Sequence, residues 1–107
     1  GISSKVITRA YNYSPNKINY DQAVNSLTDY LCERGDMENS LGEFENGDAG
    51  YLTYKETAVI SDEQFYIIQF EIEDKDGKNV SSTSYAVSCE TGKISKTGKS
   101  GDSYSLD

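Results

Sequence analysis

Residues Phe65–Asp74 read FYIIQFEIED, and the way their side chains alternate decides the fold. Tyr66, Ile68, Phe70 and Ile72 recur at every second position, with Phe65, Ile67, Gln69 and Glu71 between them, which is the period of a β-strand. Working outward, the next residues contain Asp76-Gly77, a pair that tolerates positive φ and suits a tight hairpin turn. The return stretch, NVSSTSYAVSC, places Thr83, Tyr85, Val87 and Cys89 on one face and Ser82, Ser84, Ala86 and Ser88 on the other. Thr91-Gly92 then turns the chain toward Ile94. On the upstream side YLTYKETAVI alternates Leu52, Tyr54, Ala58 and Ile60 against Tyr51, Thr53, Lys55, Thr57 and Val59, and a polar SDEQ turn joins it to Phe65.

Ahead of these strands the period changes to 3.6. In INYDQAVNSLTDYLCERG, residues 18–35, Asn19 stands as N-cap with Gln22 three positions on. Ile18 and Ala23 fill the two staple positions, and Asp21 lies in the first turn, where the helix dipole favours a carboxylate. The helix is predicted to begin at Tyr20 and to carry an apolar stripe of Tyr20, Val24, Leu27 and Leu31, flanked by Ala23 and Tyr30. Gly35 is its expected C-terminal stop. The stretch DMENSLGEFENGDAG, residues 36–50, is acidic and rich in Asn and Gly, and reads as loop with a brief strand around Phe44 and a turn at Asn46-Gly47. Residues 4–17, SKVITRAYNYSPNK, alternate weakly before Pro15 and read as a short edge strand followed by a loop.

The predicted fold class is α+β: one N-terminal helix packed on an antiparallel meander sheet of three to four strands, a two-layer sandwich. The 107 residues are the size of one domain. Within it residues 1–17 form a strand and loop lead-in, 18–95 the helix and sheet core, and 96–107 a Ser-, Gly- and Lys-rich tail. Mean hydropathy is only -0.66. Nine tyrosines and three phenylalanines must therefore supply much of the area the core buries.

Charge narrows the functions. With 10 basic and 18 acidic residues the net charge is -8, opposite to a phosphate-binding surface, so DNA, RNA and anionic membrane are not expected partners. No run approaches the roughly 18 apolar residues that would span a bilayer. The chain opens on Gly1 without an initiator methionine, which leaves room upstream for a signal peptide or lipoprotein leader. There is no histidine, so Ser-His and Cys-His nucleophile pairs are unavailable. Glu71, Glu73, Asp74 and Asp76 crowd a hairpin turn in a chain too small to enclose a sugar cleft, and read as a solvated turn. A calcium loop with Gly77 at its sixth position would need ligands at Ile72 and Thr83, and fails at both ends. Gly92-Lys93 and Gly98-Lys99 have Val87 and Lys93 where a phosphate loop needs its first glycine. The expectation is a protein without catalytic residues, cofactor or metal.

Two cysteines without histidine cannot complete a four-ligand zinc site. Cys89 ends an inward row and Cys32 lies in the last helical turn, so two readings stand open. They form a disulfide, with a loop-closure stabilisation of roughly 4 kcal/mol before strain, or they are separate buried thiols.

The run FYIIQFEIEDKDGKNVSSTSYAVSCETGKI, preceded by the capped helix INYDQAVNSLTDYL, resembles PepSY-like domains of exported proteins and lipoproteins of Gram-positive bacteria. Those domains set a striped helix before antiparallel strands and end their last hairpin in an aromatic-x-Val strand and a Thr-Gly-Lys-Ile turn. Tyr85, Val87 and Thr91-Gly92-Lys93-Ile94 match that ending over a resemblance that runs from Ile18 to about Ser95. Cys89 departs from the usual polar, Asp or Pro residue, and the acidic connection after the helix is unusual for the family. The resemblance implies an extracytoplasmic binding or regulatory module, secreted or anchored by lipid, with no catalytic residue to carry over.

One helix covers one sheet face. The other is expected to present Tyr51, Val59, Phe65 and Ile67, an apolar patch covered by residues 1–17, by a second copy in a homodimer, or by a partner protein. The leading expectation is thus a non-catalytic interaction module. The alternatives are a small-ligand site in a cleft between helix and sheet lined by Tyr20, Tyr30, Tyr54 and Tyr66, and an acidic inhibitor that mimics a nucleic acid or substrate.

Overall fold

In the computed structural model, which describes residues 17–107, helix α1 spans Tyr20–Arg34 and starts where its cap dictates. Asn19 Oδ1 accepts from the Gln22 N–H at 2.8 Å, and Gln22 Oε1 accepts from the Asn19 N–H at 2.9 Å, so two otherwise orphan donors are satisfied reciprocally. Gly35, at φ 82, closes the other end with its N–H on the carbonyls of Cys32 and Leu31. The stripe is centred one step round from the predicted one. Ala23, Leu27 and Leu31 are fully buried, Val24 is half-buried, and Tyr20 remains exposed. The edge strand expected in the lead-in lies outside the described residues.

After the helix, β1 (Ala49–Ile60), β2 (Glu63–Glu73), β3 (Asn79–Ser88), β4 (Ile94–Ser100) and β5 (Ser103–Leu106) form one antiparallel sheet in the order β1-β2-β3-β4-β5. The α+β class and the meander are as predicted, but among the described residues the sheet has five strands rather than three or four. The difference lies in the segment expected to be a tail. Residues 96–107 hold most of a β4–β5 hairpin turned at Gly101, φ 60, whose Ser- and Gly-rich strands pair through backbone bonds that composition does not reveal. Phe44 lies in a single-bridge segment, with Glu43 opposite Ala49. The SDEQ turn is tighter than expected: only Ser61 and Asp62 leave the ladder, both left-handed at φ 51 and 69. That is the backbone of the primed two-residue hairpin turn, here built without glycine.

A β-bulge in β1 changes which residues share a face. The β1–β2 register shifts between Tyr54 and Glu56, so Lys55 has no partner of its own and the alternation reverses beyond it. Leu52 and Tyr54 face the helix as predicted, but past the bulge Thr57 and Val59 do so, opposite Tyr66 and Gln64, while Ala58 and Ile60 turn to the far side with Phe65 and Glu63. Strict period 2 therefore misplaces Val59.

Two cores result. On the helix face Ala23, Leu27, Leu31 and Met37 pack with Tyr66, Ile68, Phe70, Tyr85, Val87 and Cys89. On the far face Ile60, Phe65, Ile67 and Ala86 form a smaller cluster, against which Ala58 and Tyr104 of β5 pack. β4 pairs with β3 only at Tyr85, Ala86 and Val87, and beyond that point the β4–β5 hairpin swings over this cluster. The sheet curls until Tyr104 Oη donates to Glu56 Oε2 of β1 at 2.6 Å, so the last strand returns to the first.

The cysteines are free. The Ile18 N–H bonds the Cys89 carbonyl at 3.0 Å, which puts Cys89 beside the start of α1. Cys32 lies at the other end, roughly 18 Å along the axis from Tyr20 at 1.5 Å per residue. A disulfide needs Cα atoms within about 7 Å, so the bridging reading of Cys32 and Cys89 is corrected to two separate thiols.

Candidate interaction surface

The four residues expected to form one interaction face are divided by the bulge and the C-terminal hairpin. Phe65 and Ile67 are buried, at 4% and 1% exposure, under Tyr104 and its neighbours. Tyr51 and Val59 are exposed at 50% and 65%, on opposite faces. Tyr51 faces outward beside Thr53, Gln69, Glu71, Ser82 and Ser84, a polar half of the far face on which Gln69 Nε2 donates to Ser82 Oγ. Val59 belongs instead to the helix side, past the reach of α1.

The expected tyrosine cleft is likewise divided. Tyr20 packs edge-on against Tyr54 at 5.2 Å and Tyr66 at 6.2 Å, at the start of the helix. Tyr30 packs edge-on against Tyr85 at 6.1 Å near its end, with the Arg34 guanidinium over the Tyr30 ring. Rings meeting in this way are core and rim packing. Burial, reinforced by Asp36 and Tyr30, raises the Tyr85 phenol above its ordinary range, and Arg34 opposes the shift. Burial also raises the Cys89 thiol, against hydrogen bonding from Tyr66, so Cys89 is a poor nucleophile.

Among the described residues these features leave the outer edge of β1 in the open, which sequence alternation alone does not single out. At its start Gly42 and Glu43 lie alongside: the Gly50 N–H donates to the Gly42 carbonyl at 2.7 Å and Glu43 bridges Ala49. Gly42 is required there, since it has φ 76 and a Cβ on it would sit 2.3 Å from the Gly50 carbonyl oxygen. At the other end β5 faces β1 across a groove of about 440 Å³ lined by Glu56, Ala58, Val59, Ile60, Ser61, Asp102, Ser103 and Tyr104. One wall is tied by Glu56, which accepts from Tyr104 and pairs with Lys99 at 3.9 Å, while the Lys99 ammonium sits 5.1 Å from the Tyr104 ring centre. The bond to Glu56, with some burial, raises the Tyr104 phenol, and Lys99 partly offsets it. Between these two frames, Tyr51–Tyr54 pairs only with β2 among the described residues, and Lys55 is the unpaired bulge residue that follows.

Among the described residues no group of three or more His, Cys, Asp or Glu side chains is gathered to hold a metal, and no helix is long and apolar enough to cross a membrane. No protein-family model, curated protein or solved structure matches this chain.

Proposed function

We propose that the chain is a non-catalytic, extracytoplasmic interaction or regulatory module that engages another protein along β1. The observation that carries this reading is the framed edge: Tyr51–Lys55 has β2 on its inner side and no second strand among the described residues, while Tyr51 and Tyr54 stay 50% and 43% exposed around it. An unpaired strand edge is a template for pairing with another chain. Export is supported by the resemblance of Ile18–Ser95 to PepSY-like domains, and the lack of histidine supports a role without acid–base or nucleophilic catalysis. Secretion or a lipid anchor would present this edge outside the membrane.

Site-specific photocrosslinking in the native host tests the reading. A crosslinker at Thr53, on the edge, is expected to give one discrete protein adduct in the extracytoplasmic fraction, and the same group at Lys78, in the β2–β3 turn, none. Equal labelling from both positions, or recovery of the chain solely from the cytoplasm, would overturn it.

A further inference from the structure

The geometry points to a specific chemistry for the occupant of the β1 edge: an extended basic segment of a partner protein, added as a strand beside Tyr51–Lys55. This rests on the interaction role proposed above and goes further by naming the class of ligand. The gap is short because both ends are framed, by Gly42 and Glu43 at Ala49–Gly50 and by β5 at Glu56. Backbone pairing there gives affinity without sequence preference, and alternate side chains of the added strand decide which partners fit.

Those side chains would meet tyrosine rings and Glu43, with the carboxylates of β2 one strand further in. Glu71 lies opposite Tyr51 and Glu73 opposite Ala49 in the β1–β2 ladder, and Glu43 sits in the frame, so acids gather at the Ala49 end of the gap. Tyr51 and Tyr54 flank it on opposite faces and offer ring surfaces to lysine or arginine. Lys99 already pairs with Glu56. Lys55 is the cation at the gap itself, and it favours a register that places the incoming charges toward Tyr51. Lys5 and Arg9 are the only charged side chains of residues 1–16, so the described part carries two more negative charges than the chain's -8. A second copy would bring the same acidic surface to this edge and be repelled, whereas a basic strand is drawn to it.

The test uses the full chain, labelled with ¹⁵N, and two synthetic octapeptides that alternate Val and Thr with Lys or with Glu. The lysine peptide is expected to shift the amides of 51–55 saturably and to bind about tenfold more weakly when salt is raised into the range where the Debye length falls to a few ångströms. It should also lose several-fold in affinity to the Glu71→Gln, Glu73→Gln variant, whose fold is checked by its unchanged circular dichroism. Equal binding of the glutamate peptide would overturn the basic class and leave the interaction role standing. Amides at 51–55 protected from hydrogen exchange in the free protein as strongly as those of β2 would show that the chain covers its own edge. That result, or a concentration-dependent dimer with the same protection, would overturn the inference and the interaction role together. Shifts confined to other residues would overturn the edge as the site.

Discussion

Replacing Ile67 by alanine, with Val59→Ala as its companion, decides whether the far face of the sheet is a core or an interface. Both are β-branched residues on strands, yet Ile67 is 1% exposed under the β4–β5 hairpin and Val59 is 65% exposed. Ile67→Ala removes three buried carbons, about 2.5 kcal/mol at ~0.8 kcal/mol each. Incomplete collapse around the vacated volume brings the expected cost to about 3 kcal/mol, inside the range of 2–5 kcal/mol for such truncations. For a domain of this size that is a fall in Tm on the order of 12–24 °C. Val59→Ala vacates space that water already reaches, and its cost should stay within about 0.5 kcal/mol. Urea unfolding followed by circular dichroism gives both numbers, with an unchanged m-value as the sign that the folded state is intact. A cost below about 1 kcal/mol for Ile67→Ala, with a change in oligomeric state by sedimentation, would refute the assignment of Phe65, Ile67 and Tyr104 to an internal core.

Other perturbations read different parts of the fold. Gly42→Ala combines φ 76 with a 2.3 Å clash against the Gly50 carbonyl and should cost about 2–3 kcal/mol or more, measured in the same urea titration. Asp62→Gly relieves a left-handed residue at φ 69 worth roughly 1–2 kcal/mol and gives back about 0.5–1 kcal/mol of glycine entropy, so a net gain of about 0.5 kcal/mol in unfolding free energy is expected. The raised groups Cys89, Tyr85 and Tyr104 hold their protons more tightly folded than unfolded. Their stabilisation is thus complete below the unfolded values of 9.0 for the thiol and 10.0 for the phenols and is lost as pH rises through the higher folded ones. Melting temperature should therefore fall across that alkaline range, and Tyr104→Phe should remove the share that comes from the Glu56 bond; a flat profile would contradict the burial and bonding assigned to these groups.

The helix was legible because its signals are local and agree with one another: cap, capping-box partner and C-terminal glycine all act within a few residues, and Asn19, Gln22 and Gly35 do in the structure what their positions announce. The central strands were legible for the same reason, since Tyr66, Ile68 and Phe70 alternate without interruption. Periodicity misleads where one event resets it. The bulge at Lys55 leaves no mark in composition, yet it sends Val59 and Phe65 to opposite faces. Beyond Ser95 the failure is of another kind. Thr97 is buried and Tyr104 closes the far core, but their strands are built from Ser, Gly and Lys, whose contribution is backbone pairing. A hairpin with so little apolar area cannot be found from its own residues. Its warrant lies in Phe65 and Ile67, which need a cover that α1, on the other face, cannot give. Of the four residues expected in one apolar patch only Phe65 and Ile67 lie together, and the C-terminal hairpin covers them, while Tyr51 and Val59 fall on opposite faces. The outer edge of Tyr51–Tyr54, which no other strand covers among the described residues, is likewise beyond hydrophobic patterning, because what it exposes is backbone N–H and C=O.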